Sequence, residues 1–215
     1  MLIEYTRTNP IPGGADFESL LSQLPEKIRL KNQRYIRHQD RLRNLYGLLL
    51  AKRQLSRYLN KEFDLARLKF TDYNRPFVPG STFDFNISHA GNYVACSFID
   101  SGAIGLDIEQ KRQVDFKDFQ RTMNPQQWEY IYQSANPVET FFQFWCRKES
   151  VIKADGRGLS IPLKEIIFDS DLIKYPGHSW YFKSFQLGED HIGCLACNTS
   201  FQTLELVEVE WPHLS

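Results

Sequence analysis

Three short runs rich in β-branched and aromatic residues, Thr82–Ile87, Tyr93–Ile99 and Ala103–Ile108, stand almost end to end in this 215-residue chain. His89-Ala-Gly-Asn92 and Asp100-Ser-Gly102 are the turn-like connectors between them, which suggests an antiparallel meander. Helical text lies on either side. Residues 38–59 carry Leu42, Leu45, Tyr46, Leu49 and Leu50 at helical spacing, after a shorter amphipathic helix over 17–24. Beyond the strand block, Pro125–Gln133 reads as helix, and the clearest helix starts at Asn136-Pro-Val-Glu139. There Asn suits the N-cap, Pro the first helical position, and Glu139 can return a capping-box bond. This helix is expected to reach Ala154 and stop at Gly156. Trp180–Gln186, His191–Cys197 and Thr203–Glu210 complete the strand candidates, and Pro10-Ile-Pro-Gly-Gly14 and Pro176-Gly177 read as turns. Each half thus reads as helix plus about three antiparallel strands, an α+β fold.

Apolar residues make up 42% and charged residues 24%, which excludes wholesale disorder. No apolar run approaches the roughly 18 residues of a membrane span. The start, Met1-Leu-Ile-Glu-Tyr-Thr-Arg7, lacks the basic and long apolar segments of a signal peptide, and four cysteines are too few for a disulfide framework. A cytoplasmic location is the expectation. Charge becomes informative only when divided. Lys plus Arg and Asp plus Glu both number 26, yet residues 1–104 hold 15 basic and 10 acidic side chains while 105–215 hold 11 and 16. Lys27 to Arg57 contains ten Lys or Arg and one acid, Asp40. A neutral total therefore does not exclude an anionic ligand.

Asp107 and Glu109 end an apolar strand run, and residues two apart in a strand project to one face. Trp145, Glu149 and Lys153 lie four apart on the strongest helix and share a face there. Taken singly, the first pattern also fits an exposed strand end and the second a surface Glu–Lys pair. Phe141, Phe144 and Trp145 argue that the helix packs inward, and a partly buried carboxylate beside two others suits a hard divalent cation. Oxygen ligands without an obvious imidazole favour Mg²⁺ over Zn²⁺. Three carboxylates, a lysine and a basic first half together point to phosphoryl transfer. A Mg²⁺-dependent nuclease would also want clustered carboxylates and a lysine and is an alternative reading.

Gly105-Leu-Asp-Ile-Glu109, followed forty residues later by Phe144-Trp-Cys-Arg-Lys-Glu-Ser-Val-Ile-Lys153, resembles the 4′-phosphopantetheinyl transferase signature. Asn86-Ile-Ser-His89 and Gly156-Arg-Gly-Leu-Ser-Ile-Pro-Leu163 resemble its long, monomeric Sfp-type branch. The resemblance implies two similar α+β subdomains related by a pseudo-two-fold, 1–104 and 105–215, with the active site at their interface. It implies transfer of the phosphopantetheine arm of coenzyme A to a serine of an acyl or peptidyl carrier protein, releasing 3′,5′-ADP. A non-catalytic coenzyme A-binding protein is the other alternative reading, and neither nucleic acid nor a membrane is an expected partner.

By motif match, Asp107, Glu109 and Glu149 would hold Mg²⁺, Glu149 would serve as base, and Lys153 would stabilise the pyrophosphate and departing ADP. Ser88 and His89 would contact nucleotide phosphates, Arg75 the adenine nucleotide end, and Arg43 the nucleotide beside the long helix. Lys27 and Lys31 resemble the pair on the 3′-phosphate, with Arg29 or Arg34 able to take either place. Lys148 belongs to the motif but cannot share the face of Glu149, because adjacent helix residues diverge by about 100°. The carrier protein would dock near Val114–Gln133, where Phe116, Phe119, Met123 and Trp128 read equally as interface or core. Cys194-Leu-Ala-Cys197 lies on a strand candidate, where its thiols face opposite ways.

Overall fold

The computed structural model describes residues 1–8, 14–169, 172–175 and 178–211. The turn signals at Pro10–Gly13 and Pro176-Gly177 lie outside these residues. Strand β1 (Leu2–Arg7) leads into helices α1 (Gly14–Ser22), α2 (Glu26–Gln33) and α3 (His38–Leu59). Two-residue strands β2 (Lys69–Phe70) and β3 (Pro76–Phe77) pair with each other, and β4 (Asp84–Ala90), β5 (Tyr93–Ile99) and β6 (Ile104–Gln110) follow. Helices α4 (Pro125–Gln133) and α5 (Pro137–Asp155) precede β7 (Ile167–Asp169), β8 (Leu172–Tyr175), β9 (His178–Leu187), β10 (His191–Cys197) and β11 (Glu205–Glu208).

Besides the β2–β3 pair, the described strands form two larger sheets, one in the order β11-β1-β5-β4 and one in the order β6-β10-β9-β8-β7. The α+β class is as expected, but the meander is not. β4 and β5 form a hairpin, whereas β6 pairs with β10 in the second sheet. The chain changes sheets at Asp100-Ser-Gly102, so a short connector here sets the next strand beside β4 at the edge of the second sheet instead of back along β5. The last strand also departs from the reading of three antiparallel strands per half. β11 returns to the first sheet and pairs parallel with β1, a strand the sequence patterning had not marked.

Each sheet carries one long helix. The 22-residue α3 buries Leu42, Leu45, Leu49 and Leu50 against the first sheet, and an αL Asn60 ends it. The 19-residue α5 starts as expected, with Asn136 Oδ1 accepting from the Glu139 backbone N–H at 3.2 Å, and ends at Gly156 with φ 83°. Its capping box is not completed. Glu139 instead accepts from the Asn136 side chain, and the reciprocal box occurs on α4, between Asn124 and Gln127. Two glycines set the helix–sheet distance. A Cβ on Gly105 of β6 would stand 1.8 Å from the Ser150 carbonyl oxygen of α5, and one on Gly47 of α3 would stand 2.7 Å from Ile87 Cγ2 of β4. Backbones can approach this closely only where no side chain intervenes.

Candidate active site

The seam between the two sheets is built by a strand's alternation. Along β4, Phe85 enters the first core, while Asp84, Asn86 and Ser88 point to the opposite side, toward the free edge of β6. There Asp84 Oδ2 accepts from the Ile104 N–H at 3.0 Å, Asn86 Oδ1 from Leu106 at 3.0 Å, and Ser88 Oγ from Ile108 at 3.1 Å. Three side chains thus satisfy amides that a neighbouring strand would otherwise pair. Arg75 closes the end of this ladder: Nη2 donates to Asp84 at 2.6 Å and to the Ile104 carbonyl at 3.1 Å.

On the other face of β6, Gly105, Asp107 and Glu109 turn toward α5. Lys153 Nζ donates to Asp107 Oδ1 at 2.7 Å and to Ser88 Oγ at 3.0 Å, and Trp145 Nε1 donates to Glu109 Oε1 at 3.0 Å. The expected face of Trp145, Glu149 and Lys153 is therefore the face that meets the two strand carboxylates. Burial and then the Asp107 charge push Glu149 up to about 7. The same two causes raise Glu109, against the Trp145 hydrogen bond and Arg112. Burial works against the Lys153 ammonium, but Asp107, Glu149 and Glu109 outweigh it and hold its pKa above the ordinary lysine value. His89 reaches solvent at the end of β4, yet desolvation by the protein around it, then Lys153 and Arg43, lower its pKa.

Three clefts run from this cluster across the first half. A 290 Å³ cleft touches Glu149, Lys153, Arg75 and Asn86. It shares Asn74, Pro76 and Ile87 with a 280 Å³ cleft that also touches Lys31, Arg43 and His89. Lys31 and Phe70 link that one to an 810 Å³ cleft under α2, lined by Lys27, Arg34 and Lys69. Lys31 Nζ lies 4.0 Å from the Phe70 ring centroid and donates to Asn74 Oδ1 at 3.1 Å. Of the basic residues singled out in the sequence, Lys27, Lys31 and Arg34 line the clefts, while Arg43 and Arg75 are also braces. Arg43 donates twice to the Gly91 carbonyl, at 3.0 and 2.7 Å, and once to Asp40.

Lys148 points away from the site. It is fully buried, donates to the carbonyls of Leu163 at 2.5 Å and Ile166 at 3.1 Å, and burial lowers its pKa to about 7. Of the residues expected at the docking surface, Met123 is buried. Phe116, Phe119 and Trp128 are half-buried: each packs one side against Phe141, and Phe119 also against Trp145, because a helix packing inward needs apolar cover. The exposed rings of that segment are Tyr130 and Tyr132. Cys194 and Cys197 enter different cores, as their strand spacing requires. The sequence reading passed over Asp84 and the seam role of Asn86. Their alternation with Ser88 on a strand was the available signal.

Two family models cover most of the chain. Residues 10–98 match "4′-phosphopantetheinyl transferase, N-terminal", and residues 103–195 match "4′-phosphopantetheinyl transferase superfamily". A Bacillus subtilis 4′-phosphopantetheinyl transferase is 30% identical over 191 residues, 86% of this chain and 80% of the relative. The chain belongs to the 4′-phosphopantetheinyl transferase superfamily. Within that family, Sfp of Bacillus subtilis (strain 168) is 34% identical over 150 residues, 68% of this chain. Gsp of Aneurinibacillus migulanus is 31% identical over 159 residues, 72% of this chain. The matched region spans 65% of the length of each of these two relatives. The boundary between the family models falls at the sheet change before β6, and the seam between the two sheets lies where the two matched regions meet. No described helix is long and apolar enough to cross a membrane.

Proposed function

We propose that this chain transfers the phosphopantetheine arm of coenzyme A to a serine of an acyl or peptidyl carrier protein and releases 3′,5′-ADP. The observation that carries this reading is the meeting of Asp107, Glu109, Glu149 and Lys153 at one end of a line of basic clefts. Such a line suits a long polyanion whose reacting phosphate sits at the carboxylate end. Residues 1–104 would grip the nucleotide, through Lys27, Lys31 and His89. Residues 105–215 would supply the carboxylates, and the carrier would dock beside α4.

The donor set fits Mg²⁺. The available atoms are carboxylate oxygens, Asp107 Oδ2 is buried without a partner, and burial followed by like-charge crowding raises Glu109 and Glu149. Among the described residues the side chains do not form a ready-made metal cage, and Lys153 occupies Asp107 Oδ1. Asp107, Glu109 and Glu149 would hold the ion, which supplies charge neutralisation at the pyrophosphate.

In the transfer, the carrier serine oxygen forms a bond to the phosphorus that bears the pantetheine arm. The bond from that phosphorus to the bridging oxygen breaks, and its electron pair leaves with 3′,5′-ADP. Glu149 takes the serine proton, directly or through a water, as a carboxylate standing with Asp107 and Glu109 at the reacting phosphate. Lys153 stabilises the charge that gathers on the departing diphosphate, and Ser88 holds its ammonium in place. Mass spectrometry of an apo carrier protein incubated with enzyme, coenzyme A and Mg²⁺ tests the reading. The expected result is a gain of one phosphopantetheine, lost with a chelator. No gain across fatty-acid, polyketide and peptide-synthetase carriers overturns it in favour of coenzyme A binding alone.

A further inference from the structure

Asn32, near the end of α2, makes both of its side-chain hydrogen bonds through one nitrogen. Nδ2 donates to the Arg41 carbonyl at 2.8 Å and to Asn44 Oδ1 at 3.0 Å. A backbone carbonyl accepts and cannot donate, so Arg41 decides which end of the Asn32 amide faces α3. The same logic then passes to Asn44. Its oxygen must face Asn32, and its Nδ2 becomes the atom directed away. Asn44 lines the 280 Å³ cleft together with Lys31, Asn74 and His89, and its Nδ2 has no hydrogen-bond partner among the described residues.

The arrangement is poor for stability. Asn32 is fully buried, and its own Oδ1 has no partner, so the amide carries a desolvation cost that no hydrogen bond repays on that oxygen. A buried amide kept at that disadvantage is explained by what it orients. We propose that Asn32 is a positioning residue that locks Asn44 as a hydrogen-bond donor toward a phosphate of coenzyme A. Reversed, Asn44 would present a carbonyl oxygen to an anion and repel it. The inference rests on the coenzyme A reading above and adds to it a device for setting the polarity of one wall of the cleft.

Isothermal titration of the full chain with coenzyme A and with 3′,5′-ADP tests it, alongside steady-state transfer. Asn32→Leu frees the Asn44 amide to rotate and is expected to weaken both ligands about tenfold. The KM for coenzyme A should rise while kcat at saturation stays within about threefold. A hydroxyl rotates freely to donate, so Asn32→Leu/Asn44→Ser should bind as Asn44→Ser does alone. Asn44→Asp, which keeps the acceptor and the shape, should weaken binding further and tests the donor even if Asn32→Leu fails to fold. Unchanged affinity in Asn32→Leu or Asn44→Asp overturns the inference. So does weakening by Asn32→Leu that persists in the Asn44→Ser background, where the hydroxyl needs no orienting partner. Failure of the wild type to bind coenzyme A overturns the functional reading as well, whereas wild-type binding with an insensitive Asn32→Leu overturns the inference alone.

Discussion

Burial and the Asp107 carboxylate push Glu149 up to about 7, from 4.5 for a free glutamate, and that shift has a cost as well as a use. Between those two values the folded protein holds a proton that the unfolded chain has lost. Stability from this group therefore falls as pH rises through the window, and the loss is complete above about 7. Glu149→Gln carries no such penalty. In chelator-treated protein it should be more stable than wild type by about 1–3 kcal/mol at pH 8 and no more stable at pH 4.5. Denaturant titrations across that range check this, and parallel curves for the two proteins would sink it. The same variant should lose transfer about a hundredfold or more, because the proton acceptor is gone. Arg75 carries a different dual load. Arg75→Ala leaves the Asp84 carboxylate, 15% exposed, without its cation, and should cost about 2–3 kcal/mol besides raising the KM for coenzyme A. A raised KM with unchanged unfolding would return Arg75 to a purely ligand-binding role.

At the scale of elements, the site depends on how closely α5 lies on β6. Gly105→Ala would drive a methyl group into the Ser150 carbonyl and lift the helix that carries Glu149 and Lys153. The expected loss is about 3 kcal/mol or more, with transfer abolished, measured by thermal unfolding and carrier labelling. Wild-type stability would mean the helix rides higher than the structure shows. β4 makes a subtler contribution. Asn86→Ala strands the Leu106 amide and should cost about 1–3 kcal/mol, while Asn86→Asp keeps an acceptor in place and should cost less. Helix α2 explains why some elements escape sequence reading. It buries only Ile28 and Asn32, too few apolar positions to set a 3.6-residue period, whereas α3 and α5 bury ten residues each and were legible from end to end.

For the whole molecule, the two halves are less separable than their charge balance suggests. β11 completes the first sheet from the far end of the chain, and the β4 side chains satisfy β6 amides across the seam. Residues 1–104 expressed alone would leave β1 as an exposed edge and Asp84, Asn86 and Ser88 unmatched. That fragment should show no cooperative unfolding transition and should aggregate, as followed by circular dichroism and light scattering. A monomeric fragment with a sharp transition would show that the halves fold independently.

The α+β class, both long helices with their stops, and the shared faces of Asp107 with Glu109 and of Trp145, Glu149 and Lys153 were all written in local sequence. Each follows from a period of 2 or 3.6 residues or from a capping residue beside the element it governs. Tertiary structure alone decided that β6 leaves the hairpin for the second sheet, that β11 returns to the first, and that Asn86 and Ser88 bridge the two. Strand pairing partners depend on contacts between residues distant in sequence, and no local pattern records them. The same holds for Arg43, Arg75 and Asn32. Their types announce charge or polarity, but whether each meets a ligand, a carboxylate or another amide is settled only once the chain has closed around them.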